Sequence, residues 1–239
     1  MNWDTDTVTA ALFDLDGVLT PTAEVHMRAW AALFEEVLAE HPEQAPYTDR
    51  DYFDHVDGKP RYEGVRDFLD SRGIDLPEGD PEDDPDEQTV CGLGNRKNLK
   101  FNQILESEGI EAYPGSVALL DHLAELGTKM AVVSSSKNAP EVLRVAGLAD
   151  RFPVVVDGQV AAREGLPGKP APDTFLYAAS QLGVEPAGCV VLEDAVSGVR
   201  AGAAGDFHAV IGVDRGVGSD VLRDNGADEV VTDLAELVR

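Results

Sequence analysis

Val8-Thr9-Ala10-Ala11-Leu12-Phe13-Asp14-Leu15-Asp16-Gly17-Val18-Leu19-Thr20-Pro21-Thr22 is the stretch whose reading decides the fold. Residues 8–13 form a short β-prone apolar run that stops at two carboxylates spaced i, i+2 and followed by a glycine. Such a strand ends at the carboxyl edge of a sheet, where open α/β folds collect their ligands. Alternation along the chain puts both acids on one side. Gly17 takes backbone conformations closed to other residues, or lets a ligand approach closely. A strand followed by an ordinary acidic turn fits the same letters, since Asp and Gly are turn residues. The stretch alone leaves both readings open, and the rest of the chain has to separate them.

From Tyr113-Pro114-Gly115 onward, strands and helices alternate, the pattern of a parallel sheet with crossover helices. Strands are expected at 129–133, 154–156, 189–192, 207–213 and 229–231. Helices are expected at 116–126, from an Asn138 cap to Gly147, and at 173–182, 196–204 and 219–225. A loop bearing Gly and Pro leads from Asp157-Gly158 to Lys169. The part between Thr20 and this series reads differently. Ala29, Trp30, Leu33, Phe34, Val37 and Leu38 recur at helical spacing within 23–40. Shorter helical patterns follow at 47–56 and 62–71, with a turn at 57–61 between them, and a longer one at 89–108. Residues 73–87 carry three prolines and eight acids and read as an exposed, solvated acidic loop. About ninety residues are too many for a loop. The chain is therefore read as an α/β core of residues 1–20 and 108–239, with residues 21–107 inserted as a helical domain. Hinges are expected near 20–22 and 98–108.

The chain has 239 residues, 43% hydrophobic and 27% charged, ordinary for a soluble domain. Its formal net charge of −26 is not ordinary. That balance argues against nucleic acid as a partner, because a phosphate backbone needs a basic surface. An anion bound here depends on a few local cations and backbone N–H groups. The N-terminus lacks the basic start and apolar core of a signal peptide. No apolar run approaches the ~20 residues that span a bilayer. Cys91 and Cys189 are too far apart to read as a metal site or disulfide framework. The expectation is a cytoplasmic protein with no membrane partner, monomeric or weakly dimeric.

Four expected strand ends carry polar chemistry: Asp14/Asp16, Ser134, the loop to Lys169, and Glu193/Asp194. Parallel strands bring their carboxyl ends to one edge, so the four converge. Carboxylates crowded in one crevice repel unless a cation sits among them, and oxygen ligands of this kind suit Mg²⁺. Lys169 and the Ser134 hydroxyl supply what a phosphate needs opposite the metal. One Asp then serves as nucleophile and the other as general acid and base. Each piece alone has a plainer reading: a surface lysine, a loop serine, an acidic turn. All four in order, each at a strand end, are harder to obtain from plain causes.

F-D-L-D-G-V-L-T, the serine after A-V-V, G-K-P-A-P-D-T-F and V-V-L-E-D-A-V-S-G-V resemble the four signature motifs of the haloacid dehalogenase superfamily. The resemblance implies a Rossmann-like core and an Mg²⁺-dependent phosphotransferase or phosphatase. It implies Asp14 as the phosphorylated nucleophile, Asp16 as general acid/base, and Ser134, Ser135 and Lys169 on the phosphoryl group. It assigns the metal to Asp14, Asp194, Glu193 and the carbonyl of Asp16. Within the insert, T-P-T-A-E-V-H-M-R-A-W, G-K-P-R, R-K-N and S-S-S-K-N are similar to the β-phosphoglucomutases. That similarity implies a sugar phosphate as substrate, contacted by Thr22, His26, Arg61, Lys97, Asn98, Ser136, Lys137 and Asn138. Arg61 would grip the phosphate that is not transferred. A sugar-phosphate phosphatase shares these motifs, and a non-catalytic phosphosugar-binding protein is the remaining alternative. Pro21 stands where this group commonly has an acid, and the acidic loop is an addition to the family's compact form.

Overall fold

The computed structural model describes residues 8–56 and 59–238. They fall into two compact units, one of the residues up to Thr22 with those from Ile110 onward, the other of Ala23–Gly109. In chain order the elements are β1 (Ala10–Phe13), α1 (Thr22–Ala39), α2 (Asp49–His55), α3 (Arg61–Arg72) and α4 (Val90–Glu108). They continue with α5 (Pro114–Glu125), β2 (Lys129–Val133), α6 (Ala139–Val145), β3 (Val154–Val156), α7 (Gly158–Glu164) and α8 (Asp173–Leu182). The last are β4 (Cys189–Glu193), α9 (Val196–Ala203), β5 (Ala209–Val213), α10 (Ser219–Asp224) and β6 (Glu229–Val231).

The first unit is built on a parallel sheet in the order β3-β2-β1-β4-β5-β6. β1 lies in the middle and is buried on both faces, which is why it reads as continuous apolar residues rather than an alternation. Leu12, Ala131, Val191, Phe175, Ala178 and Leu182 belong to one buried cluster that packs α8 against the sheet. Each fully buried Leu or Phe contributes about 1.5–3 kcal/mol relative to exposure. The chain works outward from β1 through β2 to β3, then crosses back to β4 and works outward again. The reversal falls between β1 and β4, and a crevice opens at the carboxyl ends of strands at such a point. The Asp14 N–H donates to the Leu192 carbonyl at 2.9 Å, carrying the β1–β4 ladder one residue past the strand.

The second unit is helical. Phe34 stacks on Phe68 at 3.8 Å between ring centroids, and Trp30 stacks on Phe34 at 5.3 Å. Leu33, Val65, Leu69, Val90 and Leu93 complete a core drawn from α1, α3 and α4.

Several expectations need correction. The loop to Lys169 contains a helix, α7, whose N-cap Asp157 accepts from the Gln159 and Val160 amides. The crossing expected within 98–108 is a continuous part of α4, and the chain leaves the helix at Gly109. Residues 73–87 are irregular and largely exposed, yet they are not simply solvated. The Asn95 amide donates to the Pro81 and Asp83 carbonyls, and Arg96 to the Pro85 carbonyl, which ties the loop to α4. Arg61 opens α3 instead of closing a turn, while Asp57 and Gly58 of that turn, like residues 1–7, lie outside the described residues. Asn138 precedes α6, but its side chain makes no capping bond. β1 and β5 begin at Ala10 and Ala209, two residues later than expected. Helix α2 begins only after Thr48, whose side chain and that of Asp51 form a capping box.

Candidate active site

At the carboxyl edge of the first unit, three of the expected residues meet. Asp14, Glu193 and Asp194 each offer a carboxylate oxygen, and these atoms lie within 4.8 Å of one another. Lys169 joins them: its ammonium donates to Asp14 at 2.5 Å, to Glu193 at 2.6 Å and to the Val133 carbonyl at 2.9 Å. The same ammonium lies 4.9 Å from the centre of the Phe175 ring. Two glycines make room for the carboxylates. A Cβ on Gly17, whose φ is +80°, would collide with the Asp194 carboxylate, and one on Gly198 would collide with Glu193. The second Glu193 oxygen accepts from the Ala195 amide at 3.0 Å.

Asp16 stands slightly apart, on the turn after β1. Its carboxylate accepts from the Thr22 hydroxyl. Ser134 follows β2, and its hydroxyl accepts from the Ser136 amide at 3.1 Å, while the Ser136 hydroxyl accepts from the Asn138 amide at 3.1 Å. Ser135 and Lys137 are exposed.

The charges are unbalanced. Burial pushes the Asp14 carboxyl well above the usual range; Lys169 opposes this, and Glu193, Asp16 and Asp194 add to it. Asp194 is pushed up to about 7, by burial first and then by Glu193 and Asp16. Burial works to lower the Lys169 ammonium's pKa, but Asp14 and Glu193 outweigh it and hold it raised. One lysine does not neutralise four neighbouring carboxyl groups. Hard oxygen donors this close, still short of positive charge, fit a divalent metal ion held by Asp14, Glu193 and Asp194.

The second unit carries its own polar cluster. Lys97 is buried; its ammonium lies 2.6 Å from His26 Nδ1, and 5.0 and 5.2 Å from the centres of the Trp30 and Phe101 rings. His26 stacks on Phe101 at 4.3 Å. Burial lowers its pKa well below the usual value, and Lys97 and Arg61 lower it further, so the imidazole is neutral near pH 7. Arg61 donates to the Asn98 side chain at 3.0 Å. The four residues therefore form two bonded pairs, His26–Lys97 and Arg61–Asn98.

Residues 8–206 match the sequence profile of the haloacid dehalogenase-like hydrolase family. The chain belongs to that family. It is 48% identical over 241 residues to a β-phosphoglucomutase of Mycobacterium tuberculosis, covering 97% of this chain and 92% of that protein. It is 33% identical to hexitol phosphatase A of Escherichia coli, covering 95% and 91%. Its fold is similar to that of a putative β-phosphoglucomutase from Thermotoga maritima, with a TM-score of 0.75, 25% identity and 97% of each chain covered. The protein is an enzyme of the haloacid dehalogenase-like family, with a Rossmann-like parallel sheet. Among the described residues no helix is long and apolar enough to cross a membrane.

One residue at this edge escaped the sequence reading. Arg215, just after β5, donates to the Gly17 carbonyl at 2.7 Å. Nothing in G-V-D-R-G-V-G marks a lone turn arginine as a neighbour of the Asp16 turn; only the parallel order of the strands brings it there.

Proposed function

We propose that this enzyme is an Mg²⁺-dependent β-phosphoglucomutase, converting β-glucose 1-phosphate to glucose 6-phosphate through a phosphoryl group carried on Asp14. The observation that supports it most is the meeting of Asp14, Lys169, Glu193 and Asp194 at the switch point of the sheet. The name of the M. tuberculosis relative supports the choice of sugar.

In this reading an Asp14 oxygen attacks phosphorus as the bond to the sugar oxygen breaks. Asp16 gives that oxygen its proton. It then takes a proton from the sugar hydroxyl that receives the phosphoryl group back from Asp14. Lys169 and the Ser134–Ser135 loop hold the non-bridging phosphoryl oxygens. The metal, held by Asp14, Glu193, Asp194 and the Asp16 carbonyl, supplies charge stabilisation to the phosphoryl group. The insert of residues 21–107 acts as a cap on the core of 1–20 and 108–239. Thr22, His26, Arg61, Lys97, Asn98, Ser136, Lys137 and Asn138 contact the sugar phosphate, with Arg61 on the phosphate that stays put. A neutral His26 suits a hydrogen bond to a sugar hydroxyl better than another charge would. The enzyme works in the cytoplasm as a monomer or weak dimer.

The similarity to hexitol phosphatase A supports a second reading, a sugar-phosphate phosphatase with water as the final acceptor. Both readings require the same phosphoenzyme. Incubation with ³²P-labelled glucose 1,6-bisphosphate and Mg²⁺, acid quench and peptide mapping test it. Label is expected on the Asp14 peptide, lost on mild base and absent from Asp14→Asn. Label on another residue contradicts both.

A further inference from the structure

The turn that carries Asp16 is gripped from outside at three successive carbonyls. Arg215 Nε donates to the Gly17 carbonyl at 2.7 Å, the Ser116 hydroxyl to the Val18 carbonyl at 2.7 Å, and the Tyr113 N–H to the Leu19 carbonyl at 2.9 Å. The Leu15 carbonyl on the other side of Asp16 is taken by the Leu19 and Thr20 amides within the turn. Arg215 is itself fixed. Its guanidinium lies over the Tyr113 ring at 3.9 Å, and Nη1 donates to the Thr232 carbonyl at 3.1 Å. A planar guanidinium stacked on a ring and bonded along its edge has little freedom left. It lies outside residues 8–206, the stretch matched by the family profile.

Asp14 and Asp16 are therefore positioned by different parts of the molecule. Asp14 takes its place from the sheet, through the Leu192 carbonyl. β1 has ended by then, and Asp16 takes its place from the turn. We propose that Arg215, backed by Tyr113 and flanked by Ser116, is a positioning residue for Asp16. It fixes the Gly17 carbonyl, and so the place where the Asp16 carboxyl meets the sugar oxygen. The proposal rests on Asp16 being the general acid/base, as read above. It separates two steps that a general loss of structure would damage together. With Mg²⁺ saturating, so that any weakening at the Asp16 carbonyl is made up by the added ion, nucleophilic attack by Asp14 is spared and protonation of the leaving oxygen suffers.

Leaving-group chemistry tells these apart. A sugar oxygen departs only with a proton from Asp16, whereas p-nitrophenolate departs without one. The experiment mixes excess enzyme and Mg²⁺ with glucose 1,6-bisphosphate or with p-nitrophenyl phosphate, and follows leaving-group release in a single turnover. Arg215→Met is expected to slow release from the bisphosphate about a hundredfold, the size of effect a small misplacement of a catalytic group produces, while p-nitrophenol release changes less than about threefold. Arg215→Lys, which keeps one donor, is expected to recover part of the loss. Equal losses on both esters, or no loss on either, overturn the proposal. If Arg215→Met fails to fold by thermal melting, Tyr113→Leu, which withdraws the ring beneath the guanidinium, carries the same comparison. Wild-type enzyme that takes a phosphoryl group from neither ester overturns the reading of Asp14 as phosphoryl acceptor on which the proposed function stands, a result distinct from equal losses in the variant.

Discussion

The Lys169 ammonium lies 2.5 Å from the Asp14 carboxylate, with 7% and 10% of the two side chains exposed. Glu193 shares the same ammonium at 2.6 Å. Removing the lysine leaves two buried carboxylates uncompensated, and breaking a buried pair costs about 3–5 kcal/mol. Lys169→Met is expected to lose stability of that order in urea unfolding with EDTA. Mg²⁺ should recover part of the loss; a loss indifferent to Mg²⁺ would place the cation elsewhere.

The pH dependence of the metal-free protein follows from Asp194. Its pKa rises from the ordinary 3.8 to about 7 on folding, chiefly through burial. Between those values the folded chain holds a proton that the unfolded chain has released. The group's stabilising contribution is thus complete below the unfolded value and is lost as pH climbs through about 7. In EDTA the Tm is expected to fall between pH 5 and pH 8. The Tm gain on adding Mg²⁺ should be larger at pH 8 than at pH 5, where protons compete with the metal. Equal gains at both values contradict the shift.

What was legible in the sequence follows from where each signal is stored. The ends of β1, β2 and β4 were readable because an apolar run stops at Asp14, at Ser134 and at Glu193-Asp194, and a parallel sheet gathers such ends. Helix α7 was not, because its seven residues make two turns and show no long apolar repeat. The signal present, Asp157 as N-cap, reads equally as the end of the strand before it. In Asn95-Arg96-Lys97-Asn98, four adjacent polar residues divide their work. Asn95 and Arg96 hold the acidic loop, while Lys97 pairs with His26 and Asn98 with Arg61. Helical spacing alone does not say which neighbour each one faces.

Gly17 tests the fit of the metal cluster. Its φ of +80° disfavours any other residue, and a Cβ there meets the Asp194 carboxylate. Gly17→Ala is expected to lose about 1 kcal/mol of stability and to raise the Mg²⁺ concentration for half-maximal activity at least about tenfold, an affinity loss of about 1.4 kcal/mol. Unchanged Mg²⁺ dependence would show that Asp194 takes no part in holding the ion.

His26 gives a reading from the second unit alone. Burial, Lys97 and Arg61 together keep its imidazole neutral. Ring resonances in an NMR titration are expected to show His26 still neutral below the pH at which an ordinary histidine charges. Lys97→Met should raise its pKa part of the way back, because burial remains. A His26 that titrates normally in the wild-type protein contradicts the cluster.

The proposed reaction is isomerisation rather than hydrolysis. The direct measurement supplies β-glucose 1-phosphate, a trace of glucose 1,6-bisphosphate and Mg²⁺, and follows glucose 6-phosphate and inorganic phosphate together. Glucose 6-phosphate appearing without matching phosphate is the predicted result. Stoichiometric release of phosphate, with no glucose 6-phosphate, contradicts it.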